Sequence, residues 1–421
     1  MFEKTALANG MRVVTATLPH TRSVSVIVLV RAGSRYENDP EAGIAHVFEH
    51  MLFKGSTDFP SAQIVSESIE GVGGSMNAST DKEIVDYWCR VAQPHYGLAM
   101  ELLADIFLNP LLDHEELKRE QGVILEELRM YHDDPRSWVS ILSDQICWPG
   151  HPLGRDIGGS PETVQAITPE MIHDYRGRMY SPQNTVLAVA GNITHDQVVG
   201  DADRLYSAWE NGAPGDYLPW NGAVTKPEAI GEGRESVEQM SLLVSFPGLS
   251  MFDEDRYAQG LMNTVLGEGM SSRLFLEVRE KRGLAYSVGS YPRHHLDTGI
   301  FTIYSGVDPD NAADALRCIM EQVGGLQEPV PEAELRKAKE FTKGHLLLGL
   351  ESTQSVAGWG GVRELLHGEL ITPDEAVARI EAVTANDIQR VAGRIFSTSA
   401  AKLAVIGPRD LSQELLPLVT H

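Results

Sequence analysis

The sequence predicts an α+β protein made of two similar, duplicated domains, each built on a largely antiparallel sheet. Three observations carry this expectation. The chain repeats itself: residues 167–191, ITPEMIHDYRGRMYSPQNTVLAVAG, align without gaps to residues 383–407, VTANDIQRVAGRIFSTSAAKLAVIG, at an offset of 216 that carries Thr168 onto Thr384. Similarity at about half the chain length marks a duplicated domain, whereas solenoids repeat at shorter periods. Strand-like and helical runs do not alternate strictly, which favours α+β over a doubly wound sheet. Between the halves, residues 211–235 are rich in Gly and Pro with little periodicity and read as a linker. The expected division is 1–211, a linker at 212–235, and 236–421.

Taken in order, the strand-like runs of the first half are residues 12–16, 25–31, 84–91 and 185–190. Helical runs are residues 43–53, 61–70, 94–107 and 113–130. Both copies of the repeat pass from a turn with an N-cap threonine into a helix, then into an apolar strand ending in glycine.

Within 43–53 lies His46-Val47-Phe48-Glu49-His50, an H-x-x-E-H motif. Residues four apart share a helix face, so His46 and His50 can aim imidazole nitrogens at one ion. Glu49 shares that face and is placed to take a proton from a water activated there. This inverted order of H-E-x-x-H is the inverzincin signature.

A catalytic zinc needs a third protein ligand. The helix at 113–130, DHEELKREQGVILEELRM, offers one; Asp113 is its N-cap, with Glu116 placed as in a capping box. With steps of about 100° from Ile124, Leu117 and Leu128 centre the apolar stripe, and Glu120 and Glu127 border it. Glu126 points to the solvated side. Carboxylates beside an apolar stripe are costly without a partner. Glu127 is therefore the expected third ligand, and Glu120 its neighbour behind the ligands. The duplication supplies a control. Its offset carries His46, Glu49 and His50 onto Met262, Val265 and Leu266. One copy thus has metal-binding side chains where the other has apolar ones, so the fold itself does not require the motif.

With these residues in place, the chain resembles the pitrilysin-type zinc peptidases, which include insulin-degrading enzyme and the mitochondrial processing peptidases. The resemblance rests on His46, Glu49, His50 and the Glu120–Glu127 pair. It extends to Gly73-Gly74-Ser75-Met76-Asn77-Ala78, similar to the family's G-G-x-x-N-A edge strand, and to the segment from Arg279 to Tyr286, similar to its arginine–tyrosine motif. It implies Zn²⁺ held by His46, His50 and Glu127, with Glu49 as general base and Glu120 supporting the site. It further implies a peptide substrate bound by Asn77 and Ala78 at a strand edge, and by Arg279 and Tyr286. The fold it implies is a sheet with helices packed on one side in each domain. The length resembles the short two-domain bacterial branch, whose members work as dimers; a homodimer would complete each site in trans. Other members are specific processing peptidases or non-catalytic partners in peptidases and respiratory complexes. Such partners lose ligands or the arginine–tyrosine pair; this chain keeps both. Glu83, near the edge strand, is a further candidate to orient a ligand histidine.

Composition agrees. A 421-residue chain with 42% hydrophobic and 22% charged residues suits a globular enzyme. The net charge of −24 argues against nucleic acid, whose phosphates it would repel. The longest apolar run, around Val24 to Val30, is far short of the roughly 20 residues of a membrane helix. The first residues lack the basic start and apolar core of a signal peptide. Cys89, Cys147 and Cys318 are scattered and read as reduced thiols, so a cytoplasmic location is expected.

Overall fold

The computed structural model describes residues 2–210, 212, 215–222, 226–396 and 400–420. Parts of the expected linker (211, 213, 214, 223–225) and residues 397–399 of the second repeat copy lie outside the described residues. The chain forms two compact units. One comprises Met1–Leu128, Arg155–Leu218 and Leu347–Thr372; the other comprises Arg129–Gly154, Pro219–Leu346 and Pro373–His421.

The first unit is built on six strands: β1 (Phe2–Ala6), β2 (Arg12–Thr17), β3 (Ser23–Val30), β4 (Ser75–Thr80), β5 (Val85–Ala92) and β6 (Thr185–Gly191). Their order is β1-β2-β6-β3-β5-β4. Only β2 and β6 pair in parallel; the other neighbours are antiparallel. In the second unit β7 (Glu228–Gly233), β8 (Met240–Pro247), β9 (Ala285–His294), β10 (Gly299–Val307) and β11 (Lys402–Gly407) run in the order β7-β11-β8-β10-β9. Here β7 and β11 form the parallel pair. The duplication is visible in this wiring: β6 and β11, the two repeat strands, each lie between a parallel neighbour and an antiparallel one. The threonine caps hold as well, Thr168 accepting from the Met171 N–H and Thr384 from the Asp387 N–H.

β7 falls inside the stretch read as linker. Its sequence, EAIGEG, carries little apolar signal because it is an edge strand, half-buried along most of its length.

The central strands are apolar on both faces, and this determines the layers. Along β3, Val24, Val26, Val28 and Val30 enter one core with the helices Ile44–Leu52, Ala62–Glu70 and Tyr96–Leu108. Ile27 and Leu29 enter another, with Val356 and Ala357 of the helix Thr353–Val362. Most helices thus lie on one face, and a segment from far along the sequence covers the other. Two glycines let that helix approach: a Cβ on Gly361 would sit 2.5 Å from a Leu29 methyl, and one on Gly360 2.8 Å from the Phe2 ring. The second unit uses the same device. Val139 and Leu142 of the helix Pro135–Cys147 pack on Leu243, Ala404 and Ile406.

Among the described residues, no helix is long and apolar enough to cross a membrane. Cys89, Cys147 and Cys318 are buried free thiols.

Candidate metal centre

The motif helix Ile44–Leu52 begins at Gly43, whose φ of 94° requires glycine. Its first free amides are satisfied by Glu37, whose carboxylate accepts from the N–H groups of Gly43 and Ala45 at 2.9 Å each. Burial pushes the Glu37 carboxyl up to about 7, and these two hydrogen bonds oppose the rise. Ile44, Ala45, Val47, Phe48, Met51 and Leu52 are buried; His46, Glu49 and His50 are half-buried along one edge.

The second contributing helix, His114–Asp133, starts at Asp113, which accepts from the N–H groups of Glu115 and Glu116. The Glu116 carboxylate bonds Arg119. Leu117, Glu120 and Ile124 are buried, Glu127 is half-buried and Glu126 is exposed, as the helix phase predicts.

The two helices bring three donor groups together. His46 Nε2 lies 3.7 Å from Glu127 Oε2, and His50 Nε2 lies 3.8 Å from the same oxygen. The imidazoles meet edge to face at 83°, with centroids 4.7 Å apart. Ligands around a tetrahedral zinc, each about 2.1 Å from it, stand about 3.4 Å from one another, so the cluster is close to that spacing. Among the described residues it is the one group of three or more His, Cys, Asp and Glu side chains that could hold a metal ion.

The surroundings also suit a metal. His50 Nδ1 lies 3.0 Å from Glu120 Oε2, and Glu120 is buried and takes a 2.7 Å ion pair from Lys54. A carboxylate behind Nδ1 fixes the tautomer that leaves Nε2 bare for a cation. Burial, reinforced by His50, lowers the pKa of His46, and Glu127 opposes this; the neutral imidazole that binds metals is favoured. His46 Nδ1 is buried without a hydrogen-bond partner. The donor set of two imidazoles and one carboxylate matches a catalytic zinc site with one position left open.

Glu49 stands beside this cluster. Its Oε2 accepts from the Thr80 hydroxyl at 2.5 Å. Burial raises its pKa, the Thr80 bond and His50 lower it, and Asp86 and Glu127 raise it.

The remaining expected residues are placed as follows. Asn77 and Ala78 lie on β4, an edge of the first sheet, with Asn77 exposed. Arg279 and Tyr286 belong to the second unit. Arg279 lies in the widened helical turn Phe275–Lys281, and Tyr286 lies near the start of the edge strand β9. The Arg279 guanidinium is 5.1 Å from the Tyr286 ring centre, and that ring is 75% exposed. Glu83 pairs with the buried guanidinium of Arg35, while Glu120 lies against His50 Nδ1. In the second unit Met262, Val265 and Leu266 lie in the helix Arg256–Leu266, buried in the core.

The sequence reading did not single out Thr80, Lys54 or Glu37. Lys54 lies in the turn just past the end of the motif helix, where helix-face spacing does not reach.

Residues 12–160 match the model described as insulinase (peptidase family M16), and residues 166–341 match the peptidase M16 inactive domain. An uncharacterized zinc protease of Streptomyces coelicolor is 37% identical over 414 residues, 96% of this chain and 89% of that protein. One of Bacillus subtilis is 36% identical over 412 residues, 97% of this chain and 98% of that protein. The crystal structure of a protease from Helicobacter pylori aligns with a TM-score of 0.91 at 24% identity, over 97% of this chain and 99% of that one. That of a peptidase M16 inactive domain from Pseudomonas fluorescens aligns at 0.89 and 20%, over 97% and 98%. At these identities the two structures speak for the fold alone.

Proposed function

The chain belongs to the insulinase family of zinc proteases, and we propose that it is a zinc-dependent endopeptidase acting on peptides or short unfolded segments. The observation that carries this reading is the convergence of His46, His50 and Glu127, with Glu120 behind His50 and Glu49 alongside. A partner subunit without activity would have no use for the full set.

His46 and His50 would hold the ion through Nε2 and Glu127 through a carboxylate oxygen. When bound, zinc supplies Lewis acidity toward a water and toward the scissile carbonyl. Glu49, held at Oε2 by Thr80, keeps Oε1 to take the proton as the water oxygen bonds the carbonyl carbon. As the C–N bond breaks, Glu49 delivers that proton to the leaving amine. Glu120 and Lys54 keep His50 oriented throughout.

The substrate would lie along β4, pairing its backbone with the open edge near Asn77 and Ala78. Backbone pairing grips many sequences, which suits broad specificity. Arg279 and Tyr286 would bind the substrate carbonyl or backbone. Two copies of the chain are proposed to form a homodimer in which this pair completes the site of the partner.

The deciding experiment is metal content together with cleavage of a fluorogenic peptide, with and without chelator. One zinc per chain and chelator-sensitive cleavage are expected. A zinc-free, active enzyme would reject the reading, and a profile confined to one cleavage motif would make it a specific processing peptidase.

A further inference from the structure

Thr80 is the last residue of β4, at the sheet edge. Side chains alternate along a strand, so Met76, Ala78 and Thr80 share one face. Met76 and Ala78 pack on the core that includes Val47 and Phe48 of the motif helix. Thr80 is thereby set beside that helix, and its hydroxyl bonds Glu49 Oε2 at 2.5 Å. Glu49 comes one residue before the ligand His50, yet it is not among the three groups whose donors converge. An unrestrained carboxylate beside a cation with an open position can become its fourth ligand.

We propose that Thr80 is a positioning residue that holds Glu49 off the metal and keeps it a base rather than a fourth ligand. This rests on the zinc-peptidase reading. The same bond ties the base to the strand edge on which the substrate is proposed to lie. A peptide that adds to β4 then registers against the strand that holds Glu49. The threonine hydroxyl suits the task because it donates to a carboxylate but is too weak an acid to surrender its proton to it.

The test replaces the hydroxyl and reads the metal directly. Thr80→Val keeps the shape and removes the donor; Thr80→Ser keeps the donor. Each is loaded with cobalt(II) in place of zinc, and the visible absorption bands report the ligand set. In Thr80→Val the bands are expected to shift, and zinc to bind several-fold more tightly, as Glu49 takes the open position. Neither change should occur in the Thr80→Val/Glu49→Gln double variant. Peptide turnover should fall roughly ten- to a hundredfold in kcat with KM within about twofold, and Thr80→Ser should restore most of it. Wild-type cobalt bands in Thr80→Val, or the same shift in the double variant, would overturn the proposal. If Thr80→Val does not fold, as judged by thermal melting, Thr80→Ala decides by the same spectra. The two readings separate cleanly. A wild-type protein inert toward peptides but with the Glu49-dependent shift would reject the peptidase and keep the role of Thr80. An active enzyme whose spectra ignore Thr80 would do the reverse.

Discussion

His50 has a carboxylate beside each ring nitrogen: Glu120 meets its Nδ1 at 3.0 Å, while its Nε2 faces Glu127 at 3.8 Å. Glu120 and Glu127 lie seven residues apart on one helix, so they present the same face two turns apart. One helix therefore supplies both carboxylates that flank the His50 ring.

Removing Glu120 should weaken the metal site without emptying it. Glu120→Ala is expected to lower zinc affinity roughly 10- to 100-fold, the usual effect of losing a carboxylate behind a ligand histidine. Lys54→Met should act in the same direction and less strongly, because Lys54 touches Glu120 and not the ion. Competition against a chromophoric chelator measures both. Unchanged affinity in Glu120→Ala would make the His50 contact incidental.

The ligands themselves should respond in an order set by the helix face. His46→Ala and His50→Ala are expected to lose zinc and activity together. Glu127→Gln should weaken zinc binding, while Glu126→Gln, on the exposed side, should change it little. Metal analysis after gel filtration decides; zinc loss in Glu126→Gln but not in Glu127→Gln would assign the third ligand wrongly.

Glu49 should separate chemistry from binding. Glu49→Gln is expected to keep its zinc and its fold and to lose about 10²–10⁴ in kcat, the range for a general base. A zinc-loaded Glu49→Gln protein that turns over peptide at the wild-type rate would end the proposed mechanism.

Local spacing made much of this legible. His46, Glu49 and His50 are fixed to one face by helix period alone, and the phase of Glu127 follows from Leu117 and Ile124 on the same helix. The duplication was legible because both copies keep the same cap, helix and strand. Thr80 was not, since its partner Glu49 is 31 residues away and the two meet only through the packing of β4 on the motif helix. The helix Thr353–Val362 was equally hidden. Its place on the first unit's sheet depends on Gly360 and Gly361 fitting against Phe2 and Leu29. No pattern within TQSVAGWGGV points to those distant partners. β7 was missed because an edge strand that is half-buried along most of its length needs no apolar alternation.

Glu37 should leave a mark on the pH dependence of stability. Its carboxyl is raised from 4.5 to about 7 by burial, against the pull of the Ala45 and Gly43 amides. The folded state therefore holds this proton more tightly than the unfolded chain. The associated stability is fully present below about pH 4.5 and is lost as pH rises through about 7. Glu37→Gln cannot titrate there. The wild-type stability minus that of Glu37→Gln, from denaturant melts of metal-free protein, should fall across this window. A flat difference would show that the Glu37 carboxyl titrates alike in the folded and unfolded chain.

The proposed homodimer is tested by complementation. Arg279 and Tyr286 lie in the second unit and Glu49 in the first, so a trans site takes its base from one copy and its tyrosine from the other. Tyr286→Phe alone should be impaired, by about 10² if the hydroxyl supports the oxyanion. Glu49→Gln and Tyr286→Phe chains are mixed and allowed to exchange subunits. A symmetric dimer repeats each contact twice, so a mixed dimer holds one doubly damaged site and one intact site. With random pairing, half the dimers are mixed, and activity should recover to roughly a quarter of wild type. If each chain instead completes its own site, every site carries one lesion and mixing adds nothing to the parents' residual rates. Exchange is verified with differently labelled chains. A monomer in solution, or no recovery after verified exchange, would reject the trans site while leaving the zinc assignment untouched, because His46, His50 and Glu127 all belong to the first unit.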